Sequence, residues 1–182
     1  GTVSVTDVDT GEGNLDTAVA NYGTVTVDGD GNWSYVLNNG AAEVQALAEG
    51  VTMTDSIVFT AEDGTTQTQV ISITGANDAA NILVSASDLS VSEDGDSQAS
   101  GSISVSDVDE GEGALEATSA SYGTVTVDGS GSWSYLLNNS DSAVQALPEG
   151  ATMTDTIVFT SDDGTTQTQV VTITGEIGRA HV

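Results

Sequence analysis

Acidic residues recur with the same spacing in two segments of the chain. Residues 7–13 read Asp-Val-Asp-Thr-Gly-Glu-Gly, and residues 107–113 read Asp-Val-Asp-Glu-Gly-Glu-Gly. Alternate aspartates that leave a strand project to one side, and the glycine after them lets the loop fold back, so that the glutamate approaches the same point. Three carboxylates repel one another unless a cation lies between them. Oxygen ligands in a flexible loop, without His or Cys, favour Ca²⁺ over Mg²⁺, so the pattern predicts calcium sites; a solvated acidic loop is the alternative.

The candidate calcium ligands form two matching sets and one linking pair. They are Asp7, Asp9, Glu12 and Asp63 in the first set, Asp107, Asp109, Glu112 and Asp163 in the second, and Asn77 with Asp78 between them. Alternate loops of a β-sandwich lie at the same pole, so the sequence predicts one interdomain site built from the second set and the linking pair. Asp163 precedes a glycine, and because Asp-Gly is also ordinary turn chemistry, a ligand role and a turn role both stay open. Glu93 and Asp94 are expected at the opposite pole, as ligands of a further ion or as a solvated turn.

An internal repeat organises these sets. Residues 1–75 recur as residues 101–175 without a gap, and a period of this length indicates a whole domain rather than a solenoid unit. We expect a first repeat over 1–76 that lacks its opening strand or strands, a calcium-binding linker over 77–80, and a second repeat over 81–175. The tail, 176–182, departs from the pattern and matches the translated start of a common sequencing adapter, so it is interpreted as an artefact, with a natural tail as the alternative.

Composition excludes several classes of protein. The 182 residues carry 28 Asp and Glu against one Lys or Arg, a formal net charge of −27, with no Cys. Nucleic-acid binding needs cationic side chains, an anionic membrane would repel the chain, and no apolar run reaches the roughly 18 residues that span a bilayer. Nucleophilic catalysis of the Ser–His or Cys–His type needs a His or a Cys, and the chain contains no Cys and only one His, His181, in the atypical tail. A carboxylate pair for glycoside hydrolysis is disfavoured because the acidic loop occurs in both repeats, so we expect no enzyme.

Short alternating runs bounded by Gly and Asp predict the fold. In residues 132–135, Ser-Trp-Ser-Tyr, both rings lie on one face of a strand, and Ile157 with Phe159 share the inward face of another. A short helical turn is predicted over 143–147, capped by Ser140 or Asp141. About seven short strands per repeat indicate an all-β protein, with tandem immunoglobulin-like or cadherin-like β-sandwich domains.

The order of these motifs resembles the VCBS repeats of large bacterial surface adhesins of the RTX type. It runs Asp-x-Asp-x-Gly-Glu-Gly, Tyr-Gly-Thr-Val-Thr-Val-Asp-Gly, Trp-Ser-Tyr, Val-Gln-Ala-Leu, Asp-Gly-Thr-Thr and Ile-Thr-Gly-Ala-Asn-Asp over about residues 1–175. The resemblance implies cadherin-like sandwiches in long arrays, type I secretion, and an extracellular place on a Gram-negative cell surface with roles in adhesion and biofilm formation. In related adhesins Ca²⁺ stiffens the junctions, which here implies Asp107, Asp109, Glu112 and the pair Asn77-Asp78.

Two functions of different classes follow from these patterns. The first is a structural extender, in which calcium rigidifies tandem repeats whose partners are neighbouring repeats and calcium ions, with a host or surface glycan bound by other domains of the parent protein. The second is a module that binds a glycan or another ligand directly. An exposed aromatic platform would favour the second function, whereas buried aromatic rings favour the extender.

Overall fold

The structure, a computed structural model, describes residues 1–9 and 13–176. The chain divides into two compact units, the first from Gly1 to Asp78 and the second from Ala79 onward. Glu12 and residues 177–182, which include most of the atypical tail, lie outside the described residues.

Unit 2 is a complete β-sandwich of the predicted all-β class. Its described strands and its one-turn helix are β6 (Asn81–Asp88), β7 (Ser90–Ser92), β8 (Gln98–Ser106), β9 (Leu115–Ser119), β10 (Gly123–Val127), β11 (Ser132–Leu137), α2 (Ser142–Gln145), β12 (Thr152–Ser161) and β13 (Thr166–Thr174). One sheet has the order β10-β11-β8-β6 and the other β7-β13-β12-β9. All neighbours are antiparallel except β7 and β13, which pair in parallel.

Unit 1 repeats part of this arrangement. Its described elements are β1 (Leu15–Val19), β2 (Gly23–Val27), β3 (Trp33–Leu37), α1 (Ala42–Gln45), β4 (Thr52–Ala61) and β5 (Thr66–Thr74). They form a sheet of order β1-β4-β5 and a hairpin of β2 with β3. The amide of Val3 donates to Gly31 O at 2.8 Å, as the amide of Ile103 in β8 donates to Gly131 O in unit 2.

The core of unit 2 lies between its two sheets, where the sequence placed the aromatic rings. Trp133 and Tyr135 on β11 are 1% and 0% exposed, and Ile157 and Phe159 on β12 are fully buried. The Trp133 and Phe159 rings meet nearly edge to face with centroids 5.9 Å apart, a favourable aromatic geometry. These burials confirm the faces predicted from alternation.

Two local expectations can be compared with the observed elements. The helical turn is present, and of the two predicted caps Asp141 is the one that accepts a hydrogen bond, from the amide of Ala143 at 2.8 Å. The alternation of residues 169–174 predicts the closing strand over that range, but the strand begins at Thr166, because its ladder with β12 continues to the pair Thr160↔Thr166 beside the turn. The sequence prediction of that strand was therefore too short.

The outer face of the β12–β13 hairpin carries no charge. Its cross-strand pairs are Thr152↔Thr174, Thr154↔Thr172, Thr156↔Val170, Val158↔Thr168 and Thr160↔Thr166. β-Branched side chains suit such a pleated, half-exposed surface. Most of the 28 acidic residues lie outside the strands, so the negative charge is concentrated in loops at the ends of the sandwich.

Candidate metal centre

One pole of unit 2 gathers the acidic loops. The loop from β8 to β9 and the loop from β12 to β13 meet there, because the amide of Asp162 donates to Ala114 O at 3.1 Å. The start of the unit joins them, since the amide of Ala80 donates to Asp163 Oδ2 at 2.9 Å. We call residues 79–80, 107–114 and 162–164 the N-terminal pole of unit 2.

The β8–β9 loop folds back as its sequence indicates. Asp107 Oδ1 accepts a hydrogen bond from the amide of Asp109 at 2.8 Å, an Asx turn that tightens the start of the loop. Gly111 then has a φ of +93°, a conformation that favours glycine, and the amide of Glu112 donates to Asp109 O. The turn thereby returns Glu112 toward the two aspartates.

Carboxylate oxygens are buried at this pole without protein donors. Asp107 Oδ2 and Glu112 Oε2 are shielded from solvent and have no hydrogen-bond partner among the described residues. The side chain of Asp109 is only 3% exposed. Burying a carboxylate oxygen without a donor or a cation is costly, and the described residues include no Lys, Arg or His that could supply the positive charge. A cation is therefore the group that these oxygens fit.

The charges at the pole act on one another. Burial raises the pKa of Glu112 above its ordinary value, and the neighbouring charges of Asp109, Asp107, Asp163 and Asp162 raise it further. The four aspartate charges are thus close enough to Glu112 to disfavour its ionised form in the absence of a counter-ion. Within residues 1–9 and 13–176, however, no group of three or more acidic, His or Cys side chains has the arrangement of a formed metal site.

Asp163 differs from its neighbours because its oxygens have donors. They accept hydrogen bonds from the Ser161 hydroxyl, the Thr165 hydroxyl at 2.6 Å, and the amides of Ala80 and Thr165 at 2.9 Å. The two hydroxyls, followed by the two amides, hold the pKa of Asp163 well below its usual range. These contacts support the turn role that the sequence left open, and the charge of Asp163 still contributes to the field around Glu112.

The corresponding loop of unit 1 is only partly described. The amide of Asp9 donates to Asp7 Oδ1 at 2.7 Å, the same Asx turn as in unit 2, but both side chains are exposed and Glu12 lies outside the described residues. Asp63 accepts from the amide and the hydroxyl of Thr65, which lower its pKa. Asn77 and Asp78 lie at the end of unit 1, so their ligand role stays a prediction from sequence.

Glu93 and Asp94 lie at the other end of unit 2, beside the start of β8. Gln145 donates to Glu93 Oε1 at 2.7 Å, and Asn139 donates to Asp94 Oδ1 at 3.4 Å. The structure thus gives both carboxylates protein partners away from the N-terminal pole.

Sequence reasoning missed two acidic residues. Asp162, next to a predicted ligand, contributes to the field on Glu112. Asp155 is buried in the core, where it accepts hydrogen bonds from Tyr135 Oη and two backbone amides. Its alternation with Ile157 and Phe159 is the signal that could have placed it inward.

The described fold and its acidic pole define a class of protein, the β-sandwich repeat with charged loops at one end. The family model of the bacterial cadherin-like domain matches residues 77–176. Since this is more than half of the chain, the chain belongs to the bacterial cadherin-like domain family. Domains of this class are typically structural or adhesion modules rather than enzymes.

Solved structures show weaker likeness, and no curated protein sequence matches the chain. A protocadherin gammaB7 EC3-6 cis-dimer structure shares 17% identity at a TM-score of 0.48, over 96% of this chain and 42% of that one. A structure of mouse clustered PcdhgC3 EC1-3 shares 16% sequence identity at a TM-score of 0.43, over 87% of this chain and 54% of that one. The crystal structure of domains 4 and 5 of the S-layer protein SbsC shares 17% sequence identity at a TM-score of 0.33, over 88% of this chain and 70% of that one. The chain therefore spans less than two thirds of either protocadherin chain. Among the described residues, no helix has the length and apolarity needed to cross a membrane.

The raised pKa of Glu112 predicts a pH dependence in calcium-free buffer. A carboxyl group whose pKa is higher in the folded state contributes stability that is present below its ordinary pKa and lost as pH rises through the raised value. We therefore expect Glu112→Gln, which cannot ionise, to unfold at a higher temperature than the wild type above that range. The difference should shrink as pH falls below the ordinary pKa. Thermal unfolding followed from about pH 4 to pH 8 measures it.

The matched control for this experiment is Glu116→Gln, which removes one negative charge from an exposed strand position. It should shift the unfolding temperature little at any pH in the range. Equal profiles for Glu112→Gln and the wild type would contradict the crowding of carboxylates at the pole.

Proposed function

We propose that the chain is a pair of calcium-rigidified structural extender repeats of a secreted bacterial surface adhesin, of the VCBS type that its motifs resemble. In this role the repeats support cell adhesion and biofilm formation from the surface of a Gram-negative cell. Their partners are neighbouring repeats of the same chain and calcium ions, and other domains of the parent protein bind a host or surface glycan.

The observation that carries the proposal is the set of buried carboxylate oxygens at the N-terminal pole of unit 2. Asp107, Asp109 and Glu112 would hold the ion, and Asp163 would add negative charge beside it. All of these donors are oxygen atoms on loops, the chemistry that suits Ca²⁺. Cadherin-like domains generally bind calcium, which agrees with this assignment.

The ion would supply a positive charge that no described side chain carries. Without it, burial and mutual repulsion raise the energy of the ionised carboxylates, as the raised pKa of Glu112 indicates. With it, the β8–β9 loop is held by an attraction between opposite charges at short range. Asn77 and Asp78 are proposed as additional ligands from the linker on sequence grounds. Calcium binding would then restrict the motion of residues 77–80.

The direct ligand-binding module is less well supported. In unit 2 the Trp133 and Tyr135 side chains are buried in the core, so they offer no aromatic platform for a sugar. This burial favours the extender between the two functions.

The extender proposal is tested by small-angle X-ray scattering of the whole chain with calcium and with a chelator. Calcium is expected to reduce the range of conformations of the chain and to raise its maximum dimension. Magnesium at the same concentration should have a much smaller effect on both. Asp78→Asn is expected to weaken the calcium response if the linker contributes ligands. A maximum dimension that is the same in calcium and in chelator would overturn the proposal.

A further inference from the structure

An asparagine followed by glycine occurs once in the sequence, at Asn39-Gly40. The pair lies in the turn between β3 and α1, and both residues are exposed. Asn-Gly is the dipeptide in which a backbone amide most easily reaches the preceding side chain, because glycine has no Cβ to obstruct the approach.

We propose that Asn39 is a site of spontaneous deamidation in the folded protein. The Gly40 nitrogen loses its proton to solvent base and attacks Cγ of Asn39, forming a new C–N bond. The bond between Cγ and the side-chain nitrogen breaks, and that nitrogen takes a proton from solvent and leaves as ammonia. Water then opens the resulting succinimide at either carbonyl, which yields aspartate or isoaspartate at position 39.

The structure leaves the reacting groups free. The turn is closed by the amide of Ala41, which donates to Asn38 O at 3.0 Å. Neither the Gly40 amide nor the Asn39 side chain has a hydrogen-bond partner among the described residues. Apart from its two chain neighbours, the nearest atom to a Cβ added at Gly40 would be Asn38 Oδ1, at 3.7 Å, so no other part of the protein crowds this residue.

The equivalent turn of unit 2 is protected in three ways and provides an internal control. Serine replaces glycine at position 140, and its amide is engaged with Asn138 Oδ1 at 3.3 Å. The Asn139 side chain donates to Asp94 Oδ1 at 3.4 Å. Its Oδ1 atom is shielded from solvent. Asn139 should therefore keep its amide under conditions in which Asn39 loses it.

Deamidation would alter the charge and the backbone of the turn between β3 and α1. Aspartate adds one negative charge to a chain that already carries −27, and isoaspartate inserts an extra methylene into the backbone. The turn that contains Asn39 leads into α1. Val44 of α1 is 6% exposed and packs in the interior of unit 1. Aspartate and isoaspartate would therefore accumulate with time at position 39 in unit 1, whereas Asn139 in unit 2 would keep its amide.

The experiment is incubation of the whole folded chain at mildly alkaline pH, with peptide mapping by mass spectrometry at intervals. Methyl transfer by a protein isoaspartyl methyltransferase identifies the isoaspartate product. Asn39 is expected to convert at least about tenfold faster than Asn139, since Gly40 has no Cβ. Gly40→Ser should slow conversion at position 39 toward the rate at Asn139.

A second variant separates the sequence from the fold. Ser140→Gly creates the same dipeptide in unit 2, where the contact with Asp94 persists, and should convert more slowly than Asn39 in the folded chain but at a similar rate in urea. Equal rates at Asn39 and Asn139 in the folded wild type would overturn the proposal. An intact Asn39 in the folded chain, with rapid conversion in urea, would overturn it as well.

Discussion

Replacing Asp155 with alanine is expected to lower the free energy of unfolding of unit 2 by about 3–5 kcal/mol. Asp155 is 1% exposed and lies on β12. Its carboxylate accepts hydrogen bonds from the amides of Ser121 and Tyr122, at 2.9 and 2.7 Å, and from Tyr135 Oη at 2.9 Å. The alanine variant would leave three donors unsatisfied in the interior, and each costs about 1–3 kcal/mol.

The same arrangement in unit 1 shows that this contact is a property of the repeat. Asp55 accepts from the amides of Asn21, Tyr22 and Ser56 and from Tyr35 Oη. Burial by itself would raise the pKa of Asp55, but these hydrogen bonds outweigh it and the pKa is lowered. Burial and the bond to Asp55 raise the pKa of Tyr35 to about 12. A lowered carboxyl pKa contributes stability above the ordinary value, which is lost as pH falls through the folded-state value.

Urea unfolding followed by tryptophan fluorescence measures the effect of Asp155→Ala. Each unit contains one tryptophan, so Trp33→Phe leaves Trp133 as the only reporter, and the transition of unit 2 is seen alone. Tyr135→Phe removes one of the three donors and should cost less, about 1–2 kcal/mol. Glu149→Ala, at an exposed position, is the control for loss of negative charge. A change below about 1 kcal/mol for Asp155→Ala would refute the account of this contact.

Calcium is expected to stabilise unit 2, and Asp107→Asn is expected to remove most of that effect. An ion that binds only the folded state adds about 2.7 kcal/mol when its free concentration is one hundred times the dissociation constant. For a unit of this size, that corresponds to a rise of roughly 10–15 °C in unfolding temperature. The Asn variant keeps the oxygen that accepts from Asp109 N, but it places an amide nitrogen where the buried Oδ2 would face the ion.

Calorimetric titration gives the affinity directly. We expect Asp107→Asn to weaken calcium binding at least about tenfold, because it removes a negative charge and an oxygen ligand together. The exposed Glu149→Gln should bind calcium as the wild type does. An unchanged affinity in Asp107→Asn, or no rise in unfolding temperature with calcium in the wild type, would show that the N-terminal pole is not a calcium site.

Local pattern was sufficient to predict the elements of the sandwich and its inward faces. Trp133, Tyr135 and Phe159 are buried as the alternation predicts, because side chains of a strand point to opposite faces with a period of two. The Asx turn at Asp107 and the fold-back at Gly111 are also local, since they depend on neighbouring residues and one positive φ.

The composition of the pole could be predicted only by assuming a topology. The approach of Asp162 and Asp163 to the β8–β9 loop depends on the strand orders of the two sheets, which bring together loops about fifty residues apart in sequence. Local pattern was also insufficient at Asp155. Its inward position follows from alternation, but its acceptors need donors from β11 and from the turn before β10, which only folding brings near.

By itself, the sequence determined the repeat, the all-β class, the buried aromatic faces and the large excess of negative charge, because each is a matter of residue type and spacing along the chain. Only the tertiary structure decided which carboxylates have donors and which do not. The carboxylates of Asp155 and Asp163 accept hydrogen bonds from other elements, whereas Asp107 Oδ2 and Glu112 Oε2 are buried without one among the described residues. The physical reason is that burial and hydrogen bonding depend on contacts between distant segments, and acidic residues of the same type are distinguished only by those contacts.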